Sequence, residues 1–348
     1  MDGFKNILVI RTDRMGDVVL TTPVLKALRV NFPGARISVM LQPAMKDLVD
    51  GNPFVDQVLV DDRRKRHKGA RGFFRLVRDL RRQKFDTAFI FHTKRRTNLL
   101  AFLAGIPLRT GYRDRKWGVL LTRPFTDERP LGLKHEARYC MDIVERLGLE
   151  TVQLRPFVPL DGRWEVWADR LWAANYSASS GKRVVAVHLG ASDPSKCWPV
   201  DSYARVLAAL RRQSACFEFI LIGSAGVREP AAALKTRLDF SLLDLTGQTT
   251  VAQLASVLHR CRLLISNDSG PVHLADALGT PVISIFTRNQ PGINPERWRP
   301  LGPLSCCLAP PPGRDRSYAK AGQPAGHSPE MVDVQQVLDA VDAIFKVC

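Results

Sequence analysis

Among the seven scattered cysteines there is no Cys-x-x-Cys, so neither a disulfide framework nor a zinc site is indicated. Gly-x-Gly does not occur, and without it the dinucleotide fingerprint of a nicotinamide dehydrogenase is missing. No apolar run approaches the roughly 18 residues of a membrane span. The first strand-like run meets Arg11, Asp13 and Arg14 too early for a signal peptide, so the chain is expected to stay in the cytoplasm. What is present is a soluble composition of 45% hydrophobic residues over 348, enough for two α/β domains.

The charge is one-sided. Lys and Arg number 51 against 34 Asp and Glu, a net +17 that implies an acidic partner. Residues 63–84 hold eleven Lys or Arg and one acid, Asp79. Within them Phe73, Leu76, Val77 and Leu80 recur at helical spacing, opposite a stripe of Arg71, Arg75, Arg78 and Arg82. This spacing predicts a basic amphipathic helix, which either faces an anionic membrane surface or presents an ordinary solvated face. The segment lacks the interleaved aromatics of a base-stacking platform, and no nucleic-acid module appears.

Lys5–Arg11 predicts a buried strand leading through Thr12-Asp13-Arg14-Met15-Gly16-Asp17 into a helix with Val18, Val19, Pro23, Leu25 and Leu28. Gly16 suits a tight turn or a close approach to a ligand. Asp17 falls at the strand-to-helix crossing where α/β sheets place reactive groups, with helix capping as its ordinary role. Strands at Arg36–Leu41 and Thr87–Phe91 alternate with helical patterns, so the first half reads as a parallel sheet of βα units. Lys94, Arg95 and Arg96 follow the latter strand on the same edge as Asp17, where an anionic substrate would be gripped.

Prolines in Leu154–Gly162 mark a domain boundary, dividing the chain into 1–160 and 161–348. A helix with Trp164, Trp167 and Trp172 follows, its aromatics explained by core packing. The αβ pattern then restarts with strands at Arg183–His188 and Phe217–Ile222 around a helix at Asp201–Arg211. No sequence repeat links the halves. Pro303–His327 reads as a loop and Val332–Phe345 as a last helix.

The stretch LLISNDSGPVHLADALGTPVISIF, 263–286, is a strand, loop, helix, strand unit. Pro271 suits a first helical turn, and Gly279 a C′ stop. The loop Asn267-Asp268-Ser269-Gly270 brings unpaired N–H groups and a helix dipole to the carboxyl end of a strand, which favours a phosphate. Ser269 and His273 are placed to donate to it. Asp268 would repel it, and so is expected to cap the helix or to accept from a ribose hydroxyl. An ordinary capped helix with a surface histidine is the other reading.

Four segments in order, ILVIRTDRMGDVVLTTPVLKALR, HEARYCMDIVERLG (135–148), VVAVHLGASDPSKCWP (184–199) and LTGQTTVAQLASVLHRCRLLISNDSGPVHLADALGTPVISIF (245–286), resemble the ADP-heptose:lipopolysaccharide heptosyltransferase family, glycosyltransferase family 9. The resemblance implies the GT-B fold: α/β, with two Rossmann-like domains whose parallel sheets face across a cleft. The first domain would bind the acceptor and the second the sugar nucleotide. It implies an inverting transfer with no metal and no cofactor. Asp17, in the Met-Gly-Asp match, would be the general base. Lys196 would neutralise the donor diphosphate, Ser192 would contact it, and Asp268, Ser269, Gly270 and His273 would hold ADP and heptose. Asp-x-Asp, by which many metal-dependent sugar transferases hold their cation, is absent from the chain.

Departures from the family pattern include Leu189 where proline is common, Ala191 at a position that can carry a hydroxyl, and Val227 and Arg228 ahead of Glu229 where an acid holds the donor ribose. On this resemblance the chain transfers a heptose from ADP-L-glycero-D-manno-heptose to the anionic inner core of lipopolysaccharide, touching the cytoplasmic face of the inner membrane through residues 63–84 and binding no nucleic acid. Two alternatives stand beside it: another sugar nucleotide on the same fold, and a non-catalytic lipid-binding scaffold.

Overall fold

The computed structural model describes residues 3–114, 116–176, 181–312 and 332–347. The chain divides into two units, one of Met1–Pro130 with Glu136–Pro159, the other of Leu131–His135 with Leu160–Cys348.

In the first unit, continuous apolar runs become strands covered on both faces, the mark of a parallel sheet. Ile7, Leu8, Val9 and Ile10 are all fully buried. The strands are β1 (Asn6–Ile10), β2 (Arg36–Leu41), β3 (Gln57–Val60), β4 (Thr87–Ile90), β5 (Leu108–Tyr112) and β6 (Arg123–Phe125). They lie in the order β3-β2-β1-β4-β5-β6, every neighbouring pair parallel. Four helices cross between or follow them: α1 (Met15–Asn31), α2 (Gly69–Gln83), α3 (Arg95–Leu103) and α4 (Glu136–Glu145).

Pro23 sits inside α1 and cannot donate to the carbonyl of Val19. That carbonyl is satisfied instead by the Thr22 hydroxyl at 2.7 Å, so the helix continues through the proline. Gly16 makes no tight turn: α1 has already begun at Met15, and Gly16 is buried in its first turn. The basic helix forms as its periodicity predicts, with Leu76, Val77 and Leu80 buried and Arg71, Arg75, Arg78 and Arg82 exposed.

The second unit repeats the plan. Its strands are β7 (Arg183–His188), β8 (Phe217–Leu221), β9 (Leu243–Asp244), β10 (Leu263–Asn267), β11 (Val282–Ile285) and β12 (Cys306–Leu308). Their order, β12-β11-β10-β7-β8-β9, is that of the first sheet read from the other edge. The helices are α5 (Gly162–Asn175), α6 (Val200–Gln213), α7 (Arg228–Lys235), α8 (Val251–Arg260), α9 (Gly270–Ala277), α10 (Pro295–Trp298) and α11 (Val334–Val347). Gly279 takes φ +82° just beyond α9.

Two expectations are corrected here. Trp164, Trp167 and Trp172 are half-buried and only Ala168 of α5 is buried, because charged residues interrupt the apolar positions and Arg260 ties Glu165 and Asp169. Pro303–His327 is not wholly a loop, since Cys306–Leu308 pairs with β11 as the sheet edge; the rest from residue 313 lies outside the described residues. Leu131–His135, although it precedes the prolines of Leu154–Gly162, groups with the second unit. There Gly132 carries φ +64° and comes so near the Gly292 backbone that a Cβ would overlap it, while the His135 ring meets the Arg299 carbonyl at 2.9 Å.

Candidate active site

At the carboxyl edge of the first sheet, Arg11 leaves β1 with its guanidinium almost fully buried. One nitrogen donates to Asp17 Oδ1 at 2.7 Å and to Glu136 Oε1 at 2.9 Å. Its Nε lies 3.1 Å from Asp13 Oδ1. Burial opposes the guanidinium's charge, but Asp13, Asp17 and Glu136 hold its pKa well above the ordinary value. Burial pushes Asp13 up to about 7 against the pull of Arg11, with the neighbouring charges of Asp17 and Glu136 adding to the rise. Asp17 lies in the first turn of α1 but is not its cap residue, which is Arg14; its carboxylate is oriented by Arg11 and remains 20% exposed.

Lys94, Arg95 and Arg96 open α3, beyond β4, the neighbour of β1 in the sheet. They are not equivalent. Arg96 forks onto the buried Asp61 at 2.8 and 2.7 Å and lies over the Phe73 ring, so it braces the fold. Arg95 is exposed over Trp117, and Lys94 is exposed at the helix cap. Arg63, also on Asp61 at 2.9 Å, donates to Thr12 Oγ1 at 2.8 Å. His92 meets Thr12 at 2.9 Å, and burial, followed by Arg11 and Arg63, drives its pKa down to about 3, leaving a neutral ring.

In the second unit the β10–α9 loop carries the other cluster. Asp268 does not cap α9. Its Oδ2 accepts from Lys196 Nζ at 2.5 Å; burial pushes the carboxyl's pKa up and the ammonium partly offsets this. Lys196 ends a short turn after β7 and stays 17% exposed. The cap position of α9 is Ser269, with no side-chain bond to the helix. The Ser269 hydroxyl turns inward, 3.1 Å from His188 Nδ1 and 3.0 Å from Ser266 Oγ. His188 is neutral there, lowered to about 4 by burial. Gly270 opens α9 half-buried, His273 is buried on its first turn with its ring 6.2 Å from that of Trp298, and Ser192 is exposed on the loop after β7.

Asn267 holds this loop to β7 and α6. Its carboxamide accepts from the Trp198 N–H at 2.8 Å and the Tyr203 hydroxyl at 3.0 Å, and donates to the Leu189 carbonyl at 2.7 Å. Arg288, beyond β11, pairs with Asp193 at 3.1 Å, close in sequence to Lys196. A cavity of about 310 Å³ beyond β8 and β9 is lined by Arg228, Lys235, Asp244, Thr246 and Gln248. Glu229 is exposed; the acid in the cavity is Asp244, paired with Lys235 at 2.5 Å.

Sequence reasoning missed Arg11, Asp13, Glu136, His188, Asn267 and Arg288 as site residues. Arg11 carried a local signal, a cation ending a fully apolar strand. Glu136 and His188 carried none, because their partners are remote in the chain.

The model of glycosyltransferase family 9 (heptosyltransferase) matches residues 73–316. Lipopolysaccharide heptosyltransferase 2 of Escherichia coli K12 is 26% identical over 359 residues, covering 97% of this chain and 98% of that protein. A putative glycosyltransferase of Haemophilus influenzae is 25% identical over 319 residues, covering 89% and 91%. Among solved structures, the family 9 glycosyltransferase of Veillonella parvula superposes with TM-score 0.87 at 24% identity, covering 99% and 98% of the two chains. The E. coli ADP-heptose lipopolysaccharide heptosyltransferase II superposes with 0.78 at 22%, covering 98% of each. These structural likenesses bear on the fold, which is GT-B. With the family model matching most of the chain, this protein belongs to glycosyltransferase family 9, the heptosyltransferases.

Proposed function

We propose that this glycosyltransferase moves L-glycero-D-manno-heptose from its ADP donor to the inner core of lipopolysaccharide, with inversion and without a metal. The observation that carries the reading is Lys196, held by Asp268 beside the N-terminus of α9. An ammonium and a helix N-terminus together supply positive charge where a diphosphate leaving group gains negative charge. No metal ion is needed for that step.

Asp17 is the base. As the acceptor oxygen bonds to the anomeric carbon, the bond from that carbon to the diphosphate breaks, its electron pair leaves with ADP, and the acceptor proton passes to Asp17. Attack opposite the leaving group inverts the centre. Arg11 orients the Asp17 carboxylate. Lys196 would exchange Asp268 for phosphate oxygens, with Ser192, Ser269, Gly270 and His273 completing the donor contacts; the Ser269 hydroxyl would have to turn from His188. Lys94 and Arg95 are the cations of the triplet left to meet acceptor anions, since Arg96 is committed to Asp61. Residues 63–84 would meet the cytoplasmic leaflet of the inner membrane.

One observation favours a second reading, another sugar nucleotide: beyond the β8 turn, where the family places a ribose-holding acid, stands Arg228, while Glu229 is exposed and Asp244 is paired with Lys235. Calorimetric titration with ADP, GDP and UDP in chelator, with Lys196→Ala alongside, separates the two. The reading predicts ADP preference and binding at least about tenfold weaker in the variant. UDP or GDP preference would replace the donor, and no nucleotide binding would favour the non-catalytic scaffold.

A further inference from the structure

Residues 63–125 contain nineteen Lys or Arg and three Asp, so sixteen of the seventeen net positive charges of the chain lie in this part of it. Three elements there stand side by side. Arg81 of α2 donates to the Leu103 carbonyl of α3 at 2.9 Å. On the other side of α3, Asn98 donates to the Trp117 carbonyl at 3.0 Å, and Arg109, over the Phe102 ring, donates to the Leu120 carbonyl at 2.6 Å.

Each element exposes one large apolar side chain: Phe74 on α2 is 60% exposed, Phe102 on α3 is 46%, and Val119 in the 118–120 turn is 76%. Phe74 is embedded among Arg71, Arg75 and Arg78, all exposed. The one acid of the helix, Asp79, faces Arg66 at 3.6 Å and Arg78 at 3.9 Å. A surface of arginines alone would suit any polyanion. Arginines around protruding apolar groups suit an anionic surface with an apolar interior beneath it, and a phospholipid leaflet is that kind of surface.

We propose that α2, α3 and the 118–120 turn form one membrane-insertion face, in which Phe74, Phe102 and Val119 enter the leaflet while the surrounding arginines engage lipid phosphates. This rests on the reading of a lipid-borne acceptor and deepens it. Electrostatic attraction alone is screened within about 8 Å at physiological salt, whereas burial of apolar side chains is not weakened by salt. The two contributions therefore separate experimentally.

The test is flotation of the full chain with vesicles of phosphatidylcholine, with and without phosphatidylglycerol, at low and high salt. Wild type should bind the anionic vesicles and keep measurable binding in high salt. The combined variant Phe74→Ser, Phe102→Ser, Val119→Ser should bind at low salt and lose at least about tenfold in partitioning at high salt; Arg71→Gln, Arg75→Gln, Arg78→Gln should weaken low-salt binding. The inference is overturned if the apolar variant matches wild type at both salts, or if duplex DNA displaces the wild type from vesicles. Thermal melts verify that the variants fold. Transfer to a deacylated, water-soluble acceptor should be the same in the apolar variant and wild type. Failure of vesicle binding with soluble transfer intact overturns this inference alone, and failure of soluble transfer with the vesicle pattern intact overturns only the proposed activity.

Discussion

Arg11 sets the electrostatics of the first cluster, and Asp13 bears the strain of it. A carboxyl held near 7 in the native state and near 3.9 when unfolded keeps its proton longer in the folded chain. Between those values the native state binds more protons than the unfolded one, so this group's contribution to stability falls as pH rises, and the loss is complete above about 7. Asp13→Asn removes the titration. The melting temperature of the variant relative to wild type should therefore rise between about pH 5 and about pH 8; a flat or falling difference would show that Asp13 is ionised in the native protein. Asp17 and Lys196 stand out as candidates in the sequence because each lies in a short local motif that resembles the family's. Arg11–Glu136 spans 125 residues and His188–Ser269 spans 81, and single-sequence periodicity has no access to such pairs.

Elements read well where their own residues decide them. The apolar strands β1, β2, β4, β7, β8, β10 and β11 and the helices α1, α2, α9 and α11 follow from burial pattern, proline placement and helix stops. Elements defined by what they pack on did not: β12 is a strand because β11 offers it an edge, and α5 shows its tryptophans half-exposed despite their number. Asp268 shows the same limit inside one loop, since a helix-capping position in sequence became an ion pair in space. The β10–α9 loop keeps its shape through Asn267. Asn267→Ala would strand the buried Trp198 N–H and Leu189 carbonyl and leave the Tyr203 hydroxyl only its 3.4 Å contact with the His188 carbonyl, and should cost about 2–4 kcal/mol. Urea denaturation would measure it; a loss below about 0.5 kcal/mol would mean that the loop does not depend on that side chain.

At the scale of the whole chain, both sheets carry one strand order with no sequence repeat between them. Such an order needs only parallel strands buried on both faces and joined by crossovers, which many sequences satisfy. Each unit places its cluster where such sheets place ligands, beyond the carboxyl ends of the strands. Asp17 follows β1 of the first sheet, and the Asp268–Gly270 loop follows β10 of the second. Charge is concentrated in the first unit, consistent with an anionic acceptor there, and no described helix is long and apolar enough to cross a membrane. We propose Asp17 as the base of a metal-free heptosyl transfer. Its most direct test is transfer from ADP-heptose to heptose-free lipopolysaccharide core in chelator, wild type beside Asp17→Asn. The account predicts an inverted product from wild type and a rate lower by about 10²–10⁴ in the variant with ADP affinity retained; a folded Asp17→Asn protein with full transfer activity would contradict it.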